Sequence, residues 1–272
     1  LIGEKFDFED KGELKYFLGI NATRDRVNKT LSLDMKAYIQ DKLKLFNLES
    51  CKPKSHPWPL QEPKEDEYGA ILDGDNATLY RGMVGALLWT TIVRADVGYS
   101  VSKLSSHMKE PRELDLQLAK GVFRYLKATL DEVLTYSREY ANEEAMMGVG
   151  YLQSPEAECI ATGYVDSNLA APRSTTGYAF KMAGGFVVAK SKKQPVVAIS
   201  SYDGEYYAFS SSVLVGEWIR MLGGEINHLF LKYFGVNLVG GPLVIHGDNS
   251  AVIRMIQEKA ISDRARHIQL RW

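Results

Sequence analysis

The chain is poor in cysteine: only Cys51 and Cys159 occur in 272 residues, far apart in sequence. That excludes a disulfide framework and a cysteine-rich zinc module. It has no uninterrupted apolar run of the length needed to span a bilayer, so no membrane insertion is expected. No secretory leader is legible, because the chain opens Leu1-Ile2-Gly3-Glu4-Lys5 and is charged at once. An intracellular protein is the expectation. An initiator Met is also missing, which suggests a fragment or a processed piece. An excess of one charge is absent too. Residues 1–150 carry 21 Lys and Arg against 24 Asp and Glu, and residues 151–272 carry 12 against 10. Neither half is the basic body of a strong nucleic-acid binder. Two local clusters stand out, Lys190-Ser191-Lys192-Lys193 and Arg264-Ala265-Arg266-His267, and each also fits an ordinary solvated loop.

What is present is an ordinary apolar fraction, 45%, beside 25% charged residues. This is the composition of a soluble globular protein with room for one large or two smaller domains, and the strands and helices read below make the expected class α/β. Residues 13–20 and 30–35 read as strands around a polar turn at 25–29. Residues 37–48 read as a helix, with Tyr38, Ile39, Leu43 and Phe46 at helical spacing. A proline- and acid-rich stretch at 52–76 marks the first boundary. Helices are expected over 80–93, 96–108 and 114–129, then a strand near 133–136. The polar stretch 137–145 marks the second boundary.

From there the pattern changes to strands near 158–166, 176–182 and 185–190, an apolar run at 196–199, a helix over 203–223, a strand over 243–248 and a further helix. Three acids fall at telling places. Asp166 closes the first of these strands and Asp248 the last, while Glu205 opens the helix. Ala208, Phe209, Ser212, Val215, Ile219 and Leu222 share one helix face, and Glu205 lies one turn earlier on it. Taken singly, Glu205 fits an acid favoured by the helix dipole and Asp248 fits an N-cap. Taken together, the three suit a carboxylate cluster neutralised by Mg²⁺ or Mn²⁺, the arrangement used in phosphodiester hydrolysis. His246 and His267 are candidate general bases, although packing residues are the commoner role for such histidines.

Ordered short segments carry a family resemblance. They include Lys11-Gly12-Glu13-Leu14-Lys15-Tyr16-Phe17-Leu18-Gly19-Ile20, Tyr80-Arg81-Gly82-Met83-Val84-Gly85, Arg94-Ala95-Asp96-Val97 and Arg124-Tyr125-Leu126-Lys127. In the second half they include Gly163-Tyr164-Val165-Asp166, Ser191-Lys192-Lys193-Gln194, Glu205-Tyr206, Asp248-Asn249-Ser250-Ala251 and Arg266-His267-Ile268. Over almost its whole length the chain resembles the C-terminal part of the reverse transcriptase, plus ribonuclease H, of copia-type retrotransposon polyproteins.

The resemblance implies a palm remnant over 1–60, a helical thumb and connection over 61–145, and a ribonuclease H-like mixed sheet with helices over 146–272, truncated at its end. It implies Asp166, Glu205 and Asp248 as catalytic metal ligands, two-metal cleavage of RNA in an RNA/DNA hybrid, and no polymerase activity from this chain. Lys190, Lys192, Lys193 and Arg266 are the implied nucleic-acid contacts. The pattern also departs. Asn168 and Leu169 replace the usual Asp and Trp, Ser262 replaces a His, and Gln269 stands where a fourth acid is expected, with Asp263 a remote substitute. These departures leave open a silent, domesticated copy that needs no metal and serves protein partners as a structural subunit.

Overall fold

The structure is a computed structural model, and it describes residues 12–137, 161–170, 172–235 and 243–258. Among these residues are eight strands in two sheets and six α-helices. The first sheet has the order β1-β2-β3-β4 and is antiparallel throughout. Its strands are β1 (Tyr16–Phe17), β2 (Ile20–Asp25), β3 (Thr30–Asp34) and β4 (Leu134–Ser137).

The strand expected at 13–20 is displaced toward 20–25. Leu18 and Gly19 both have positive φ, so the chain turns there and the longer strand begins at Ile20. The turn expected at 25–29 is present. The Asp25 carboxylate accepts from the amides of Val27 and Asn28, a side-chain mimic of a backbone turn.

Four helices fill the space between β3 and β4: α1 (Lys36–Leu45), α2 (Gly74–Thr90), α3 (Gly98–Ser105) and α4 (Glu113–Ala128). α2 starts six residues before the expected position. Asp73 accepts from the Asn76 amide and caps the helix there. The apolar faces meet in one core in which Ile39, Tyr80, Leu87, Val122, Phe123 and Leu126 are buried. The Tyr80 hydroxyl donates to the Leu104 carbonyl, which satisfies the phenol inside that core.

Arg94 ties the end of this unit. It is only 4% exposed, and its guanidinium grips both Asp96 carboxylate oxygens (3.0 and 2.7 Å) and the Thr129 carbonyl (2.8 Å). Burial works against the guanidinium charge, and the bidentate Asp96 contact more than restores it; Asp96 in turn is held below the usual carboxylate range.

The second sheet has the order β7-β6-β5-β8, with β5 antiparallel to β6 and parallel to β8. Its strands are β5 (Thr162–Asn168), β6 (Thr175–Met182), β7 (Gly185–Lys193) and β8 (Val244–His246). α5 (Ser201–Phe234) lies across β5 and β6, and α6 (Ser250–Glu258) packs beside it. Ala208, Phe209, Ser212 and Ile219 are buried as the helical spacing predicts. Leu222 departs from that face and is 42% exposed among the described residues. The apolar run at 196–199 forms no strand, and Val197 and Ile199 are exposed.

β4 of the first sheet rests on the β6–β7 hairpin of this sheet. The Ser137 amide donates to the Ala183 carbonyl (2.9 Å), and the Tyr136 hydroxyl donates to the Phe186 carbonyl (2.7 Å). The Tyr136 ring covers Gly185 so closely that a Cβ there would lie 2.4 Å from it. No described helix is long and apolar enough to cross a membrane.

Candidate metal centre

β5 and β8 set two of the three acids. Their parallel register pairs Tyr164 with His246, so Asp166 and Asp248 each stand two residues beyond a paired position on neighbouring strands. Asp166 does not close its strand as the sequence suggests. β5 runs on to Asn168, and Asp166 pairs with Gly177 of β6. The β5–β6 ladder, paired before and after Asp166, fixes where its side chain leaves the sheet. His246 stacks on Tyr164, with centroids 5.4 Å apart, which is the packing role expected of it.

Asp248 is released from a capping role by its neighbour. The Asn249 side-chain oxygen accepts from the Val252 amide at 3.1 Å, so Asn249 caps α6 and the Asp248 carboxylate is left to the cluster. The same division of labour holds at α5. Ser200 accepts from the Asp203 amide, and Asp203 accepts from the Ile199 amide. The helix terminus thus has its own cap and its own acid, and Glu205 lies in the next turn, aimed at the sheet.

Glu205 reaches the sheet because nothing stands in its way. Gly204 sits over Ser167, where a Cβ would lie 3.0 Å from the Ser167 oxygen. Glu205 is 6% exposed, and its Oε1 accepts from the Ser167 amide (3.1 Å) and the Ser167 hydroxyl (3.0 Å). Its Oε2 is buried and has no hydrogen-bond partner. Burial pushes this carboxyl above the usual glutamate range. The two Ser167 bonds work against that shift, and the charges of Asp166 and Asp248 add to it.

One oxygen from each of Asp166, Glu205 and Asp248 lies within 4.8 Å of the others. Hard oxygen donors at this spacing suit Mg²⁺ or Mn²⁺. The orphaned Glu205 Oε2 is the observation that fits an ion, because a buried carboxylate oxygen without a donor is costly unless a cation faces it.

The remaining expected residues fall elsewhere. Lys190, Lys192 and Lys193 lie on β7 rather than in a loop, across β6 from Asp166. Arg266, with His267, Gln269, Ser262 and Asp263, lies outside the described residues. Ser167, Gly204, Gly247 and Asn249 were missed by sequence reasoning. Asn249 had a legible signal, a capping residue three positions before Val252; the other three are recognisable only from the close approach of strand and helix. Gly247 is the tightest of these, since a Cβ there would lie 2.3 Å from the Phe209 ring. Gln194 is a further tie: its buried amide donates to the Thr176 hydroxyl and the Gly204 carbonyl, joining β6 to the start of α5.

The chain is 30% identical over 273 residues to the Retrovirus-related Pol polyprotein from transposon RE1 of Arabidopsis thaliana, covering 99% of this chain and 17% of that protein. It is 25% identical over 280 residues to the corresponding polyprotein from transposon TNT 1-94 of Nicotiana tabacum, covering 100% of this chain and 19% of that protein. The chain belongs to the copia-type retrotransposon Pol polyproteins. It spans less than a fifth of the length of these two Pol relatives. An uncharacterised mitochondrial protein of Arabidopsis thaliana is also similar, at 29% identity over 218 residues, covering 80% of this chain and 83% of that one. No family model matches this Pol segment. No solved structure matches it either.

Proposed function

We propose that this Pol segment is a reverse transcriptase–ribonuclease H piece whose Asp166, Glu205 and Asp248 bind Mg²⁺ or Mn²⁺ and direct hydrolysis of RNA in an RNA/DNA hybrid. In this reading residues 146–272 are the ribonuclease H-like unit, 61–145 the thumb and connection, and 1–60 a palm remnant without polymerase activity. The observation that carries it is the convergence of three carboxylates within 4.8 Å, one of them with a buried, unpartnered oxygen. When bound, divalent ions supply an activated water and neutralise charge at the leaving oxygen. The chain's own part is to hold three ligands at fixed spacing. Asp166 is set by the β5–β6 ladder, Asp248 stands two residues past the end of the parallel strand, and Glu205 is oriented through Ser167.

A second reading, a silent copy acting as a structural subunit for protein partners, draws on Gln269 at the position where the family resemblance expects a fourth acid. Cleavage of a labelled RNA/DNA hybrid in Mg²⁺ or Mn²⁺, beside an Asp248→Asn control, separates the two. Cutting that vanishes in the control supports the nuclease. No cutting, with no Mn²⁺ uptake by calorimetry, favours the subunit.

A further inference from the structure

α5 is longer than the sheet it lies on. Among the described residues its last buried apolar side chain is Ile219, yet the helix continues to Phe234. The part beyond is not polar. Trp218, Met221, Leu229 and Tyr233 are each more than half exposed, and Leu222 and Ile226 are exposed beside them. At about 100° per residue, Trp218, Leu222, Leu229 and Tyr233 fall within about 60° of one another, with Met221 and Ile226 on the two flanks. This single stripe presents roughly 600 Å² of apolar surface, at the upper end of what a monomer carries. A helix has little stability of its own in water and is held by the packing of such a face.

The stripe reads the same from either end. Trp218, Leu222, Leu229 and Tyr233 are spaced by four, seven and four residues. A second copy laid antiparallel, with a two-fold between Glu225 and Ile226, brings Leu222 level with Leu229 of the second copy and Trp218 level with its Tyr233. The charges fit the same register. Lys232 then stands about 3 Å along the helix axis from Glu217 of the second copy, on the same flank, and Glu225 stands about as near to its His228. Glu217 also holds Arg220 of its own helix at 2.8 Å. Glu225 is the polar residue of the stripe nearest the two-fold, and one polar residue in an apolar seam fixes register at a cost in stability. Two copies together bury roughly 1,200 Å², the lower end for a specific interface.

We propose that α5 is a dimerisation element: two copies of this Pol segment pair their helices antiparallel through the stripe from Trp218 to Tyr233. A second copy is the occupant because area, spacing and charge all complement themselves under one two-fold. The proposal does not depend on the nuclease reading, but it bears on the placing of that site. Glu205 lies on the same helix about twenty residues, or roughly 30 Å, from the two-fold. The pair therefore holds its two carboxylate clusters roughly 60 Å apart, at opposite ends of one helical seam.

Sedimentation velocity of the full chain, from about 1 to about 100 µM, reads the oligomeric state. Wild type is expected to sediment as a dimer within this range. Leu222→Glu/Leu229→Glu sets acids against one another across the seam and should raise the dissociation constant on the order of 100-fold or more. Both side chains are exposed in the single copy, so the variant keeps its core. Val27→Glu/Leu60→Glu adds the same charge at exposed apolar positions elsewhere and should leave the dimer intact. Register is read by cross-linking in a Cys51→Ser/Cys159→Ser background. A mixture of Leu222→Cys and Leu229→Cys proteins, oxidised with copper phenanthroline, should give a disulfide-linked dimer. Either protein alone should give none, because like positions lie about 10 Å apart along the helix axis, beyond the reach of a disulfide. A wild type that stays monomeric overturns the proposal and leaves the stripe to another segment of a longer protein or to a different partner. A dimer indifferent to Leu222→Glu/Leu229→Glu, one lost equally in Val27→Glu/Leu60→Glu, or linking between like positions overturns it as well.

Discussion

The hydroxyl and amide of Ser167 both donate to one oxygen of Glu205, at 3.0 and 3.1 Å, and so anchor the helix-borne acid to the strand that carries Asp166. A strand residue one position past one acid of the cluster thus orients the acid contributed by another element. Replacing Ser167 by Ala keeps the amide bond and removes the hydroxyl bond. The expected cost is about 1.5–3 kcal/mol, the range for a hydrogen bond to a charged group. Mn²⁺ affinity measured by calorimetry should fall about tenfold, as is usual when an outer partner of a metal ligand is lost. Unchanged affinity would show that the hydroxyl is incidental.

The raised carboxyl of Glu205 makes stability depend on pH with a definite sign. In the folded, ion-free protein the group keeps its proton to higher pH than in the unfolded chain. Its contribution is present below the ordinary glutamate value, about 4.3, and is lost as pH rises through that value toward the raised one. Melting temperature in EDTA should therefore drop across this window. Mg²⁺ should reverse the drop, because it binds the ionised form. Glu205→Gln should remove the pH effect and the Mg²⁺ effect together. A Glu205→Gln protein that still responds to both would exclude this group as their source.

Arg94 closes the helical unit by joining Asp96 to Thr129. Arg94→Ala leaves Asp96 and the Thr129 carbonyl without their cation. Asp96 is partly exposed, so water recovers some of the loss, and about 2–3 kcal/mol is expected rather than the larger cost of a sealed pair. Urea unfolding measures it, and a midpoint unmoved from wild type would contradict the role given to this network.

Asn249 and Asp248 are adjacent and are expected to separate cleanly. Asn249→Ala removes a cap and should cost about 1 kcal/mol while leaving Mn²⁺ uptake nearly intact. Asp248→Asn should abolish uptake with little loss of stability, or with a gain, because it relieves repulsion in the ion-free cluster. Calorimetry and thermal melts on the two variants check this, and the reverse pattern would reassign the cap to Asp248.

Much of this was legible before any coordinates. Ile39 and Leu43 at helical spacing, and Ala208, Phe209 and Ile219 on one face of α5, are buried where periodicity places them. The reason is that a helix must bury the stripe its sequence provides. The acids were legible in part: Glu205 near a helix start and Asp248 just past a strand are where local residues place them, whereas Asp166 lies inside β5 rather than at its end. Registers and depths were not. Nothing local in Leu14–Gly19 reveals that positive φ at residues 18 and 19 shifts the strand to Ile20. Nothing in Lys190–Lys193 tells a loop from an outer strand facing α3, because charged residues suit both. Leu222 carries the right periodicity but lies beyond the sheet that would cover it among the described residues. Such facts depend on partners distant in sequence, and a window of neighbours does not contain them.

Gly247 and Phe209 show how finely the third acid is placed. With a hydrogen in place of a methyl group, the chain beside Asp248 lies flush against the aromatic ring, where a Cβ would come within 2.3 Å. The ring thereby works as a gauge block, and the apolar interior sets how far the Asp248 segment stands from the other two acids. The spacing of the three carboxylates is therefore set in part by an aromatic side chain that is not one of them.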